Sequence, residues 1–393
     1  MSARECDLAI VGGGLAGGLI ALALAQFRPE LTMRLVETGP ALGGNHRWSW
    51  FASDLSAEGE ALLAAFPVKR WDEGYEVRFP GFRRHIPTPC CSMSSRDFAA
   101  VLGIRLPAGS ILVNSRVAAL DAGGVSLASG ERISAGAVID CREFAPTPHL
   151  SGGWQVFLGR HLRLEWPHGM TLPLIMDATV GQNDRFRFVY VLPLGDNELM
   201  VEDTYYQLEP ALDHEALARR LDRYAGRRRW RGELLGTEMG VLPVVTGGDF
   251  AAWQDERRIE GVARAGAHAG FLHPLTGYTL PAAAGTALAV AREAHLPGVQ
   301  LAAMLDERAR AHWRRTRFYR RLGSMLLDGA KPRRRWKVLA RFYRLPAPLI
   351  ERFHAARSTR GDRLRILCGK PPVSPFRAMK ALLTSRPPLV RTA

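Results

Sequence analysis

Three glycines near the start of the chain have the spacing needed to bind a dinucleotide. They are Gly12, Gly14 and Gly17, in the pattern G-x-G-x-x-G. Gly12 permits a tight strand-to-helix turn, Gly14 lets the backbone approach a pyrophosphate, and Gly17 allows the helix to pack closely on the sheet. Glu37 follows 20 residues after Gly17, where a carboxylate can accept hydrogen bonds from ribose hydroxyls. Its charge disfavours the 2′-phosphate of NADP, so we expect an unphosphorylated ribose there.

The residues around this motif predict the elements that position it. The apolar run 8–11 predicts a buried strand, the Ala- and Leu-rich stretch 15–27 predicts a helix, and 32–36 predicts a second strand. Together they form a βαβ unit of about 30 residues, as the fingerprint requires. The phosphates would lie at the positive N-terminus of the helix.

Two further glycine-rich segments favour FAD over NAD. Segment 40–46 is typical of the turn beneath FAD in flavoproteins with two dinucleotide sites, and segment 265–278 precedes an Ala-rich stretch, 280–294, that predicts a helix. The N-terminus of that helix would face the flavin and favour a negatively charged reduced form. An ordinary loop leading into a helix is the alternative. The predicted FAD contacts beyond the first motif are Gly44, Asp140, Gly266, Gly270, His273, Pro274, Thr276 and Gly277.

Composition limits the class of protein. A chain of 393 residues fits two domains and a tail. Its five cysteines have no metal-binding spacing and suggest no disulfide framework, so we expect no metal site and a reducing cytoplasmic compartment. The uncharged stretch 8–25 could be taken for a membrane span or signal peptide, but it holds five glycines between positions 12 and 18. A soluble or peripheral protein is therefore predicted.

The positive charge is concentrated at the C-terminus. Segment 311–393 holds 22 Lys and Arg against three Asp and Glu, a charge of +19 in a chain whose formal charge is +15. The segments 312–322 and 333–344 mix arginines with six aromatic residues at helical spacing: Trp313, Phe318, Tyr319, Trp336, Phe342 and Tyr343. An anionic membrane surface, here the inner membrane, is the favoured partner. A solvated face over a helical core and nucleic acid are the alternatives.

The middle of the chain predicts strands. Short strands are expected at 117–120, 124–127 and 136–140, the last resembling the strand that brings the chain back under the FAD. A strand pair is expected at 186–192 and 198–202, within an antiparallel substrate sheet inserted in the flavin domain. The expected division is FAD-binding for 1–65, 96–150 and 256–300, substrate domain for 66–95 and 151–255, and a basic helical membrane-surface region for 301–393.

Taken together, several segments of the chain resemble the bacterial lycopene β-cyclases of carotenoid biosynthesis. The resemblance is carried by DLAIVGGGLAG (7–17), GGNHRWSW (43–50), FPGF (79–82), LMVEDTYY (199–206), GVLP (240–243) and GAHAGFLHPLTGY (266–278). It implies an α/β, Rossmann-like, two-domain flavoprotein of the p-hydroxybenzoate-hydroxylase type. Plant relatives have an aromatic-Leu-Glu-Glu-Thr sequence where this chain has Met200 to Thr204, so the first glutamate is kept and the second acid is shortened to Asp203.

The resemblance implies an isomerase that closes β-rings on lycopene through γ-carotene to β-carotene, without net redox change. It uses reduced FAD, with NAD(P)H as the electron source. Protonating an alkene needs a carboxyl group kept protonated in a dry site. We expect Glu202 to be the acid, Asp203 to hold or share its proton, and Glu238 to be a second candidate base. Four aromatic side chains could stabilise the cation: Trp48, Trp50, Tyr205 and Tyr278.

Three other activities would use the same sequence features. A flavin monooxygenase and a reductase of an apolar isoprenoid would both consume NAD(P)H stoichiometrically. A carotenoid-binding protein that has kept a flavin fold would return lycopene unchanged.

Overall fold

The computed structural model describes residues 5–182, 185–368, 381 and 386–390. The strands within this part of the chain, in order, are β1 (Cys6–Val11), β2 (Met33–Val36), β3 (Arg47–Phe51), β4 (Lys69–Trp71), β5 (Tyr75–Phe79), β6 (Phe82–Ile86), β7 (Cys90–Ser94), β8 (Ile111–Leu112), β9 (Val117–Asp121), β10 (Gly124–Leu127), β11 (Arg132–Asp140), β12 (Thr147–Leu164), β13 (Leu174–Asp177), β14 (Phe186–Pro193), β15 (Glu198–Gln207), β16 (Gly232–Gly248), β17 (Val262–Arg264) and β18 (Pro388–Leu389).

The α-helices, over the same residues, are α1 (Leu15–Phe27), α2 (Ala57–Leu63), α3 (Ser95–Arg105), α4 (His214–Arg227), α5 (Phe250–Glu256), α6 (Leu280–Glu293), α7 (Gly298–Ser324), α8 (Trp336–Phe342), α9 (Ala347–His354) and α10 (Arg360–Leu367). Four short turns of 3-10 or π-helix lie at Ala52–Asp54, Gly266–Ala269, Met325–Gly329 and Pro332–Arg334.

The first sheet holds the glycine motif. Its strand order is β8-β2-β1-β11-β10-β9, and β17 also pairs with β11. Strands β2, β1, β11 and β17 run parallel, and α1 packs on α6 beside them. Both helices are rich in alanine and leucine, which lets them approach closely and bury ten of the 13 residues of α1. The predicted βαβ unit is confirmed.

The second sheet is larger and mostly antiparallel. Its order is β16-β12-β15-β14-β13-β5-β6, with β18 beside β12. The predicted strand pair is confirmed as β14 and β15, which pair antiparallel from Phe186↔Tyr206 to Pro193↔Leu199. Strand β12 lies between β15 and β16 and pairs with both along most of its length. A small third sheet, β3-β7-β4, stands beside the two large ones.

The C-terminal helices contribute to the hydrophobic core as well as to a positively charged surface. The six aromatic residues proposed for a lipid interface are all buried or half-buried, and Tyr319, Tyr343 and Phe353 belong to the hydrophobic cluster that also contains Phe51 and Tyr75. The arginines of α7 at positions 310, 314, 317 and 321 are exposed along one face, as their spacing of four, three and four residues requires. The aromatic residues therefore build core, and the arginines face outward.

Within the described residues, no helix combines the length and the apolar character that crossing a membrane requires. The uncharged stretch 8–25 is strand β1, the glycine turn and most of α1.

Candidate active site

Two glutamates meet on one face of the second sheet. Glu202 on β15 and Glu238 on β16 both lie opposite Gly159 of the strand between them. Their carboxyl groups are within hydrogen-bonding distance of each other. The Thr204 hydroxyl donates to Glu202 Oε1, and the backbone of Arg47 lies close to the Glu238 carboxyl and favours its charged form. Two carboxyl groups so placed must share a proton, because two adjacent negative charges repel.

The surroundings of the pair favour the protonated state. Burial is the main cause that raises the pKa of Glu202, while the hydrogen bond from Thr204 opposes it. Burial also raises the pKa of Glu238, with the neighbouring Glu202 charge next in importance and the Arg47 guanidinium opposing both. The pair therefore keeps a proton well above the usual range of a carboxyl group. A buried carboxylic acid of this kind can donate a proton near neutral pH.

Accessible surface deep in the protein marks an internal space beside the pair. Glu202, Tyr190 and Tyr278 are surrounded by protein atoms, yet each keeps some accessible surface. Tyr190 lies opposite Glu202 on β14, and Tyr278 belongs to the glycine-rich segment after β17. The acid pair thus faces a space that is lined in part by these two tyrosines.

Asp203 lies on the other face of β15, since adjacent strand residues point to opposite sides. Its carboxylate forms a buried bidentate ion pair with Arg187, with Oδ1 2.7 Å from Nε and Oδ2 2.7 Å from Nη2. In the structure, therefore, Glu202 pairs with Glu238, and Asp203 pairs with Arg187. The geometry does not bring Asp203 to the proton that it was predicted to hold or share.

The glycine motif has the shape of a phosphate cradle. Gly12 has a positive φ of 100°, and a Cβ atom at Gly17 would overlap the carbonyl oxygen of Gly12. A Cβ atom at Gly14 would meet nothing within 4 Å, so the backbone at the start of α1 is open to a ligand. The Glu37 carboxylate accepts hydrogen bonds from the amides of Gly13 and Gly39, both at 2.7 Å. Its place beside the cradle fits the ribose role predicted for it.

The remaining predicted cofactor contacts lie in loops around the same edge of the first sheet. Asp140 ends β11 and is held by Arg142, at 2.7 Å, and by His268, at 3.2 Å. Four glycines adopt positive φ, as turns that pass close to a ligand or to another backbone require: Gly44, Gly266, Gly270 and Gly277. Pro274 and Thr276 lie between the last two of them.

His273 fixes the shape of its loop. Its Nδ1 accepts from the amides of Leu275 and Thr276, at 3.4 and 3.3 Å, so Nε2 carries the hydrogen and donates to the carbonyl of Phe353 at 3.3 Å. Burial lowers its pKa to about 3, so the ring is neutral. The histidine ties the loop 273–278 to α9.

Two loops of the cofactor region touch the acid-bearing sheet. Asn45 Nδ2 donates to the carbonyl of Thr237, next to Glu238, at 2.6 Å. Tyr206, two rows along the sheet from the pair, donates to the carbonyl of Leu275 at 3.3 Å. The predicted cofactor residues and the acid pair therefore border one site.

The four aromatic residues predicted to stabilise the cation lie in different parts of the structure. Tyr278 packs among Phe51 and His354, with ring centroids 6.4 and 6.3 Å away. Trp48 packs on Phe98, with ring centroids 5.1 Å apart. Trp50 is buried in the core of the first domain, and Tyr205 points to the Asp203 face. Tyr278 interacts with Tyr190, which lies opposite Glu202, and so borders the internal space.

Sequence reasoning missed several residues of this site. Gly159, Tyr190, Thr204 and Arg47 surround the acid pair, and His354 reaches the aromatic wall from α9. Strand alternation could have placed Tyr190 and Thr204 on the Glu202 face once the strand pair was predicted. Gly159 and His354 depend on long-range pairing that no local pattern reveals.

Comparison with known proteins identifies the family of this chain. The family model described as lycopene cyclase protein matches residues 7–380. A lycopene beta-cyclase of Pseudescherichia vulneris is 43% identical over 383 residues, covering 97% of this chain and 98% of the relative. One from Pantoea ananas is 40% identical over 380 residues, covering 96% and 98%.

Solved structures share the fold at much lower identity. A geranylgeranyl bacteriochlorophyll reductase-like protein from Thermoplasma acidophilum superposes with a TM-score of 0.58 at 14% identity, covering 97% of this chain and 99% of that one. Klebsiella pneumoniae HpxO, complexed with FAD and uric acid, gives 0.59 at 15% identity, covering 89% and 96%. The predicted fold of a two-domain, Rossmann-like flavoprotein is confirmed. By its matched family model and its near full-length relatives, this chain belongs to the lycopene cyclase family.

Proposed function

We propose that this protein closes β-rings on the ends of lycopene, by way of γ-carotene to β-carotene, in a non-redox, acid-initiated cyclisation. The observation that carries the proposal is the buried pair Glu202 and Glu238, which faces an internal space beside the predicted cofactor loops. The names of the relatives support the substrate and the ring type.

The closure of each ring requires that the polyene gain one proton at C2 and lose one proton from C6. Glu202 and Glu238 hold a single proton between them and deliver it to C2 of the polyene, which leaves a cation at C1. The C5–C6 double bond attacks C1, so that a C1–C6 bond forms and the charge moves to C5. Loss of the proton from C6 restores a C5–C6 double bond, and the pair, now fully ionised, is placed to accept the C6 proton, while the donated proton stays on C2. The formula does not change.

The cation must be stabilised in a dry site. The ring of Tyr278 contributes its negative face, and the ionised acid pair contributes charge fixed in advance. FAD, held at the glycine cradle by Gly12, Gly14, Gly17 and Glu37, would supply further negative charge in its reduced form. We propose NAD(P)H as the source of its electrons.

The cradle gives a test of FAD binding that leaves the fold intact. Gly14 has φ −70° and ψ −170°, which any residue can adopt, and an added Cβ meets open space. Gly14→Ala should therefore keep the melting temperature of the apoprotein but weaken FAD binding at least tenfold, measured by flavin fluorescence titration. Gly103→Ala, which also adds a Cβ into open space on α3, is the control. Unchanged affinity in Gly14→Ala would place the pyrophosphate elsewhere.

The exposed arginines of α7 support a peripheral attachment to the cytoplasmic face of the inner membrane. Because the nearby aromatic residues face the core, the attachment we propose is electrostatic, without ring insertion. Binding to vesicles with anionic lipid should be lost at high salt and absent with zwitterionic lipid. Binding that resists salt would contradict it.

The proposed reaction is tested directly with lycopene in anionic liposomes, FAD and a chemical reductant, under argon in D₂O. A bicyclic product with up to one deuteron per ring is expected. A product that gains oxygen or added hydrogen would instead favour a monooxygenase or a reductase, and unchanged lycopene would indicate a binding protein.

A further inference from the structure

The contact between the two glutamates depends on a residue without a side chain on the strand that lies between them. Glu202 and Glu238 are on strands that flank β12, and neighbouring strands lie about 4.8 Å apart, so their backbones are separated by roughly 10 Å. Two glutamate side chains can meet across that gap only if the residue between them leaves the space free. The residue between them is Gly159, paired with both.

A side chain at position 159 would displace the pair. A Cβ atom there would lie 2.9 Å from Glu238 Cγ and 3.3 Å from Glu238 Oε1, and it would overlap the methyl group of Met200. The Met200 methyl is the end of a flexible chain and can move. The Glu238 Cγ is only two bonds from the strand backbone, so it cannot move away without turning the whole side chain.

We infer that Gly159 is a positioning residue for the proton donor, because its missing side chain lets the carboxyl groups of Glu202 and Glu238 meet above β12. Backbone conformation gives no other reason for this glycine, since its φ is not in the left-handed region. Its neighbours in the strand, Arg160 and Leu158, carry ordinary side chains. This inference rests on the proposed function, since it concerns the group that would protonate the polyene.

The test is the pH dependence of cyclisation in Gly159→Ala. In the wild type the contact between the carboxyl groups raises the upper pKa of the pair, and cyclisation needs the protonated form, so activity falls as pH rises through that raised pKa. When a methyl group pushes Glu238 away, the mutual repulsion weakens and the upper pKa falls. The alkaline limb of the activity profile should move to lower pH by about one unit, and activity at pH 8 should fall about tenfold.

A second variant guards against simple misfolding. Gly159→Ala/Met200→Leu removes the terminal Met200 methyl with little change in core volume and leaves the contact with Glu238, so it should fold and show the same displaced limb. Gly226→Ala, on the helix that packs against the opposite face of this sheet, adds a Cβ into open space and should keep the wild-type profile. FAD binding and melting temperature are measured for all three.

The outcomes separate the inference from the proposed function. Activity lowered equally at every pH, with the limb unmoved, would show that Gly159 matters only for packing and would overturn the inference, although the cyclase would stand. A wild-type protein that returns lycopene unchanged would overturn the proposed function before Gly159 is considered.

Discussion

Glu202→Gln is expected to lower the rate of ring formation by about 10²- to 10⁴-fold, the usual contribution of a general acid. The amide has nearly the shape of the carboxyl group and its oxygen can still accept the Thr204 hydrogen bond, but it cannot donate an acidic proton. Glu238→Gln should cause a similar loss, because the proton belongs to the pair. The measurement is β-carotene formed per molecule of bound flavin under anaerobic, reducing conditions.

Replacing both glutamates tests whether they act as one unit. Residues that act as one unit are strongly non-additive, so Glu202→Gln/Glu238→Gln should be little worse than either single change. Glu233→Gln is the matched control, since Glu233 is an exposed glutamate at the start of β16. Cyclisation within tenfold of the wild type in Glu202→Gln would remove the pair from the mechanism.

Asp203→Asn is expected to destabilise the protein by about 3–5 kcal/mol, because it leaves the buried Arg187 cation without its counter-charge. Both side chains are almost completely buried, at 0% and 8% exposure, so water cannot replace the lost partner. The free energy of unfolding is measured by denaturant titration of the flavin-loaded protein.

Replacing both partners distinguishes structure from chemistry. Asp203→Leu/Arg187→Met removes both buried charges and should recover much of the lost stability. Activity per folded molecule should be kept within about tenfold in both variants, since Asp203 faces away from the acid pair. A variant that stays stable but no longer cyclises lycopene would instead support the proton-holding role predicted from the sequence.

Much of the fold could be predicted because its signals are local. The strand-turn-helix around Gly14 and the strand pair around the turn at 193–197 follow from glycine spacing and apolar periodicity, and both are confirmed. The helical aromatic residues of 312–344 were also detected. Their direction was not, because the same spacing suits a lipid interface and a core, and only packing against Phe51 and Tyr75 decides between them.

The pairing of residues in the acid site could not be predicted from local sequence patterns. Glu202 and Asp203 are adjacent in sequence, which made them the obvious pair, but strand alternation sends adjacent side chains to opposite faces. The partner of Glu202 is 36 residues away, on a strand that is not its direct neighbour. That contact exists only because β12 is inserted between the two strands and has a glycine at the crossing, and no periodicity in the sequence encodes that register.

The raised pKa of the acid pair also makes folding itself a proton-uptake reaction. In the unfolded chain Glu202 and Glu238 are solvated and ionise in the normal carboxyl range, whereas the folded protein holds a proton to much higher pH. Between those two limits the native state binds more protons than the unfolded state, so its stability decreases as pH rises. The same burial that keeps the pair protonated near neutral pH therefore makes the native state less stable in alkaline conditions. Glu202→Gln, although much less active, should lose less stability as pH rises.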